Sequence, residues 1–348
     1  MKISTFPFYF QKMNKTIFKI LNSFENTLIE NKNIKIKKPV FISGCPRSGT
    51  TILTEILNNS GNFGSYLYKD MPYYKIPIIW NLINKNFRKK NQKKIQRVHG
   101  DNIYYNYNSP DAFEELIWSD LLDDYDINFS KFIDETYHNQ ELLIHLKYSI
   151  KKILYLRNSN RYLSKGNYNL FRFRFLNKNL YEPRFIFVIR DPIQTCISHS
   201  NVHNKFINEA KENKNFDKAL EYLCHFEFGN RRRVLTICQD KDKIKNLWES
   251  GDNFLGYLNQ WNEIHKFVYD NYLTDNFKNN IFIFNYDDFK KEPLKILKKL
   301  FNFIEINFDL EKLNIQNIKF KDDIVIDFKL SENLKKISYD LFNKIIVN

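Results

Sequence analysis

The chain has 348 residues, a formal net charge of +14, 43% hydrophobic and 16% aromatic residues. That length and apolar content suit one folded unit with a sizeable core and exclude a disordered or fibrous chain. No run of eighteen apolar residues occurs, so no transmembrane helix is expected. The basic residues are dispersed rather than gathered into an arm or groove, which argues against a nucleic-acid binder.

The first ten residues run straight into Gln11 and Lys12 and lack the uninterrupted apolar core and small-residue cleavage site of a signal peptide. Thr16 to Ile29 reads as an amphipathic helix. Val40–Ile42 is a short apolar strand followed by the turn Gly44-Cys45-Pro46-Arg47-Ser48-Gly49-Thr50-Thr51, which opens into a helical run, Thr51–Asn58. Further apolar runs read as buried strands at Arg161–Leu163, Arg184–Ile189 and Ile281–Asn285. Helical patterns lie at Asp111–Leu122, Asn169–Asn179, Ile193–His203, Lys218–Gln239, Phe254–Tyr272 and Pro293–Phe303. Alternating strand and helix signals predict an α/β fold, a central parallel sheet flanked by helices in three layers. The expected organisation is a single domain: an N-terminal helical extension over 1–35, a core over 39–303 and a C-terminal segment over 304–348.

The strand, glycine loop and helix start form the geometry of a phosphate cradle. Gly44 and Gly49 permit close backbone approach, the first helical amides have no intrahelical partner, and Ser48, Thr50 and Thr51 add hydroxyls. The spacing is that of a Walker A loop, but Thr50 stands at the lysine position and the loop's cation is Arg47, which argues against ordinary ATP or GTP hydrolysis. A second strand ends in Arg190-Asp191-Pro192. Pro192 suits the first helical turn and Asp191 its N-cap, so Arg190 sits at a carboxyl strand edge, where open α/β sheets bind ligands. Ser198 follows two helical turns later, on the side of that helix start.

These segments resemble the sulfotransferases that use 3′-phosphoadenylyl sulfate (PAPS). The Pro46–Thr51 loop resembles their 5′-phosphosulfate loop, and Arg190 with Ser198 their 3′-phosphate site. Phe284-Asn285-Tyr286-Asp287-Asp288-Phe289 with Pro293 resembles their C-terminal Tyr-Glu-Asp-Leu pattern, and Arg161–Lys165 the strand whose lysine lies near the acceptor; the usual nearby proline is replaced by Gly166-Asn167. The matches run in family order from Pro39 to about Phe303. Arginine in the loop, rather than lysine, points to the carbohydrate and protein-tyrosine branch.

The resemblance implies sulfuryl transfer from PAPS to an acceptor hydroxyl, for which a glycan is the leading expectation, with 3′,5′-bisphosphate (PAP) as product and no metal. The donor site would comprise Gly44, Pro46, Arg47, Ser48, Gly49, Thr50, Thr51, Arg190, Ser198 and Tyr286. Arg47 would also stabilise the leaving phosphate, and Lys165 would assist charge transfer or bind an acidic acceptor. Two candidates remain for the base. Asp70 follows the loop helix where the carbohydrate branch places its glutamate. His99 has an unperturbed pKa near 6.5, and phenol-type enzymes use a histidine after the loop. Glu114 and Glu115 read as a solvated face, as do the clusters Arg88–Lys90 and Arg231–Arg233. Cys45, Cys196, Cys224 and Cys238 show no metal-ligand spacing and suggest a reducing, cytoplasmic setting; Cys224-His225 reads as packing on a helix. The competing classes are a P-loop kinase or NTPase, which Mg-ATP turnover would reveal, and a non-catalytic nucleotide-binding protein of the same fold.

Overall fold

The computed structural model describes residues 14–85, 95–96, 104–313, 320, 323–324 and 331–348. Its centre is a four-stranded sheet built from β1 (Val40–Gly44), β2 (Leu163–Lys165), β3 (Arg184–Ile189) and β4 (Ile281–Asn285), in the order β2-β1-β3-β4. All pairings are parallel, with Val40 opposite Leu163 and Arg184, and Phe185 opposite Ile281. Every residue of β1 is buried, as expected of strands covered on both faces.

The strand period of two divides these side chains between two cores. Phe41, Phe185, Phe187 and Ile189 join a large, aromatic-rich core. It takes in residues of α3 (Gln140–Arg157), α4 (Pro192–Glu212) and α5 (Asn253–Val268), including Ile150, Val202 and Trp261. Val40, Ile42, Ile186 and Val188 face the other way, onto Leu53 and Leu57 of α2 (Thr50–Asn59) and Leu297, Leu300 and Phe301 of α7 (Pro293–Phe303). Between β4 and α7 runs the short helix α6 (Tyr286–Lys291). The three-layer α/β expectation therefore holds.

The N-terminal helix α1 (Lys15–Glu30) docks on α3 through a buried ion pair, Lys152 with Glu25 at 3.4 Å. Lys152 also donates to Asn22 Oδ1 at 2.6 Å and to the Lys75 carbonyl at 3.0 Å. Burial pushes the Lys152 ammonium down to about 8 and raises the Glu25 carboxyl. The C-terminal helix α8 (Glu332–Ile346) packs against α5, and its Tyr339 hydroxyl donates to Asp191 at 2.8 Å.

Several elements differ from expectation. β2 lies two residues later at each end than the Arg161–Leu163 run, and Lys165 is its last residue, as the resemblance implied. The long helix expected over Lys218–Gln239 is instead Phe216–Tyr222, a loop, and a later helix at Lys241–Glu249. Cys224 turns the chain at φ +59, and Gly229 does so again at φ +76; a Cβ on Gly229 would lie 3.2 Å from Phe206. The polar–apolar pattern was compatible with a helix, but these left-handed turns break it. The Asp111–Leu122 pattern forms a helix only from Glu115 to Leu121. Glu114 and Glu115 are buried rather than solvated: Glu115 grips Arg172 at 2.7 and 2.9 Å and accepts from Tyr125 at 2.6 Å, while Glu114 accepts from the Trp118 indole at 3.2 Å.

Candidate active site

Parallel strands place their carboxyl ends on one edge, and four candidate segments meet there: Gly44 after β1, Lys165 ending β2, Arg190 after β3 and Tyr286 after β4. The β1–α2 loop is fixed by close packing. A Cβ on Gly44 would sit 2.4 Å from the Val188 carbonyl oxygen, and one on Gly49, at φ +107, 2.3 Å from the Tyr286 ring. Only glycine permits these approaches. Gly49 is also the N-cap of α2, so the first amides of that helix open beside it. Ser48 is buried and its hydroxyl donates to the Cys45 carbonyl at 2.7 Å, so it braces the loop. Arg47 is a non-glycine residue at φ +70, a conformation that costs about 1–3 kcal/mol and collects at ligand-binding sites.

The second half begins at β3. Asp191 caps α4 by accepting from the Gln194 amide at 2.9 Å, and its own amide donates to Asp287 at 2.7 Å. Arg190 thus lies beside the loop, with Nη1 3.4 Å from the Arg47 carbonyl oxygen and its guanidinium 5.3 Å from the centre of the Tyr286 ring. Its carboxylate neighbour is Asp323, at 3.8 Å, rather than the adjacent Asp191. Arg190 Nε is buried without a hydrogen-bond partner among the described residues. Ser198 meets the loop directly: Arg47 Nε donates to its hydroxyl at 3.2 Å. The next residue, His199, is buried and bonds the Pro46 carbonyl oxygen through Nε2 at 2.6 Å. Burial, reinforced by Arg47 and Arg190, pushes the His199 imidazole down to about 4. It is therefore neutral at pH 7 and serves as a fixed donor to the loop.

Facing Arg47 is a cleft lined by Pro46, Arg47, Thr50, Thr51, Lys165, Asn167, Phe206, Leu220, His225, Glu227 and Phe228. Lys165 is 7% exposed and donates to Asp111 at 2.8 Å. Asp111 in turn accepts from the Tyr68 hydroxyl at 2.7 Å. Lys165 is thus a held cation at the cleft wall and not a surface lysine. His225, expected to pack on a helix, and Glu227 reach the cleft because the chain leaves the helix at Tyr222. A glycine inside the helical pattern, Gly229, was the available signal.

Asp70, the first candidate for the base, lies elsewhere. It is fully buried, accepts from the Leu67 amide at 2.8 Å and from Asn81 at 2.9 Å, and is paired with Arg157. Its oxygens are occupied in bracing the chain after α2, and it does not line the cleft. His99 and the Arg88–Lys90 cluster fall outside the described residues. The other basic cluster is not simply a solvated face: Arg232 stacks on Trp248 at 4.1 Å and Arg233 on Phe226 at 4.3 Å, while Arg231 pairs with Glu221 at 3.2 Å. All four cysteines are buried free thiols. Among the described residues no helix is long and apolar enough to cross a membrane.

A parallel α/β sheet with a phosphate-type loop after its first strand and a basic strand edge beside it defines the class. Residues 39–227 match the model of the sulfotransferase family, and the chain belongs to that family. Solved structures are similar to the chain at low identity. Sulfotransferase STF9 from Mycobacterium avium is 13% identical, with a TM-score of 0.57 over 93% of this chain and 81% of that one. Sulfotransferase STF1 from Mycobacterium tuberculosis is 13% identical, with 0.48 over 96% and 86%. The sulfotransferase domain from the Synechococcus PCC 7002 olefin synthase is 12% identical, with 0.42 over 89% and 96%. No curated protein sequence matches the chain.

Proposed function

We propose that this sulfotransferase is a single-domain enzyme that takes the sulfuryl group from PAPS and delivers it to a hydroxyl, on a carbohydrate by preference, releasing PAP. The observation that carries the reading is the meeting of Arg47 with Ser198 at 3.2 Å, which joins the glycine loop to the second strand edge. A donor with phosphate at both 5′ and 3′ positions needs such a bipartite site. The residues fit it: the two glycines leave room for phosphate against the backbone, and the buried, unpartnered Arg190 Nε offers a donor for an anion.

The donor would supply an activated sulfuryl group and a phosphate leaving group. Gly44, Pro46, Ser48, Gly49, Thr50 and Thr51 would shape the 5′ cradle. Arg47, a fixed charge in that cradle, would stabilise the negative charge that builds as the phosphate leaves. Arg190 and Ser198 would hold the 3′-phosphate and select the donor over ATP, with the Tyr286 ring backing both the loop and Arg190. Lys165, held by Asp111, would orient the acceptor side. The chemistry calls for no metal, and turnover without added Mg²⁺ is expected.

Calorimetry with PAP, ADP and AMP, followed by labelled PAPS with a panel of methyl glycosides, tests this reading. PAP should bind about 10²–10⁴-fold more tightly than AMP, the value of two charged hydrogen bonds. Equal affinity for the three nucleotides, or turnover of Mg-ATP in place of PAPS, would overturn it.

A further inference from the structure

We infer that His225 is the general base of this enzyme and that Glu227 positions it. The inference rests on the proposed sulfuryl transfer and assigns the role to a pair absent from the family motifs in this sequence. Both side chains line the cleft that Arg47, Thr50 and Thr51 close from the loop side. His225 Nδ1 lies 3.6 Å from Glu227 Oε2, just outside hydrogen-bond reach. Catalytic contacts in unliganded sites are often long in this way and tighten in the complex.

The pair is held from several sides. Glu227 is 11% exposed. Its other carboxylate oxygen accepts from Asn167 Nδ2 at 2.9 Å, and its backbone carbonyl accepts from the Tyr257 hydroxyl at 3.0 Å. The His225 amide donates to the Leu220 carbonyl at 2.9 Å, and the Arg233 amide to Phe226 at 2.9 Å. The turn at Cys224 sets the loop's direction. Burial would raise the Glu227 carboxyl, but His225 and Asn167 outweigh it and hold it below the usual carboxylate range. Glu227 is therefore an anion at neutral pH and favours the imidazolium that proton transfer creates. His225 itself is 36% exposed, so an acceptor can reach it. With Nδ1 turned to the carboxylate, Nε2 is the nitrogen left for the acceptor, as in other carboxylate-oriented histidines.

The step balances without a further reactant. The acceptor O–H proton passes to His225 Nε2, and an oxygen lone pair forms the new bond to sulfur. The bond between sulfur and the 5′-phosphate oxygen breaks, and its electron pair stays on PAP, beside Arg47. Arg47 and Lys165 are the cations lining this cleft, so the base works between two fixed positive charges and the Glu227 anion.

The test measures PAPS consumption, with methyl glycosides and with water as acceptors, alongside PAP affinity. His225→Ala should lower kcat about 10²–10⁴-fold with PAP affinity unchanged, and added imidazole should restore part of the rate. Glu227→Gln should lower kcat with donor KM unchanged, and should cost little more in the His225→Ala background, because it acts through the histidine. His225→Ala keeping more than a tenth of the rate, or Glu227→Gln acting independently of His225, would overturn the dyad while leaving the function intact. A wild-type enzyme that consumes no PAPS would instead overturn the function, and the dyad with it.

Discussion

The two sides of the candidate site are built in different ways. The proposed donor side consists of two short segments, an eight-residue loop and a strand end with the helix that follows it; each is shaped by local backbone geometry, and they meet across 151 positions of the chain where Arg47 donates to Ser198. The acceptor side is assembled from distant pieces. Lys165 ends β2, its partner Asp111 lies 54 residues earlier in the chain, and His225 and Glu227 lie on a loop some 60 residues later. The glycine loop is also closely packed, since Gly44 lies against Val188 of β3 and Gly49 against Tyr286 at the start of α6. The acceptor side depends on ion pairs and a turn.

Four experiments would break or sharpen that contrast. The largest effect is expected outside both halves. Asp70→Ala removes the partner of Arg157 in a buried pair and should cost about 3–5 kcal/mol of stability, read by denaturant unfolding, while turnover per folded molecule stays near wild type. Loss of turnover without loss of stability would return Asp70 to the acceptor side.

Arg47→Ala comes next, with turnover expected to fall about 10²–10³-fold in single-turnover kinetics. A comparable fall in PAP affinity alone would make Arg47 a binding residue and not a stabiliser of the leaving group.

Arg190→Ala should weaken PAP binding by about 10–10²-fold, the value of one charged hydrogen bond, and leave AMP binding nearly unchanged. Equal losses for both nucleotides would show that the strand edge does not read the 3′-phosphate.

The smallest effect concerns acid. The folded-state pKa of His199 is lowered to about 4 by burial, below the unfolded value near 6.5. Between those values the unfolded chain binds the proton first, so stability is full above pH 6.5 and declines as pH falls toward 4. The loss from pH 6.5 to 5.5 should be about 1 kcal/mol for this histidine. Thermal melts should show it, and His199→Gln should shallow the slope. Unchanged pH dependence in that variant would mean that the imidazole is not the group being protonated.

Much of the geometry of the glycine loop and of the Arg190 strand edge was legible because it follows from local rules. Glycines at positions that admit no Cβ, Pro192 and Asp191 at a helix start, and buried β-branched runs each specify their own geometry. The burial of Asp70 was not legible. Asp70 has the right residue type and spacing, but Leu67, Asn81 and Arg157 occupy its oxygens, and the Arg157 pairing exists only after α3 packs. Glu114 and Glu115 look like a polar helix face, and only Arg172, Tyr125 and Trp118 explain their burial.

By itself, then, the sequence determined the parallel α/β fold and the glycine loop with Arg47 inside it, along with the second cation at a strand edge. Backbone sterics and the strand period act within a few residues, so a linear reading reaches them. Tertiary structure alone decided which charged groups are buried in ion pairs and which face the cleft. It also decided that the chain breaks at Tyr222 to bring His225 and Glu227 opposite Arg47. Burial and charge pairing depend on neighbours far apart in the chain, and no local pattern records them.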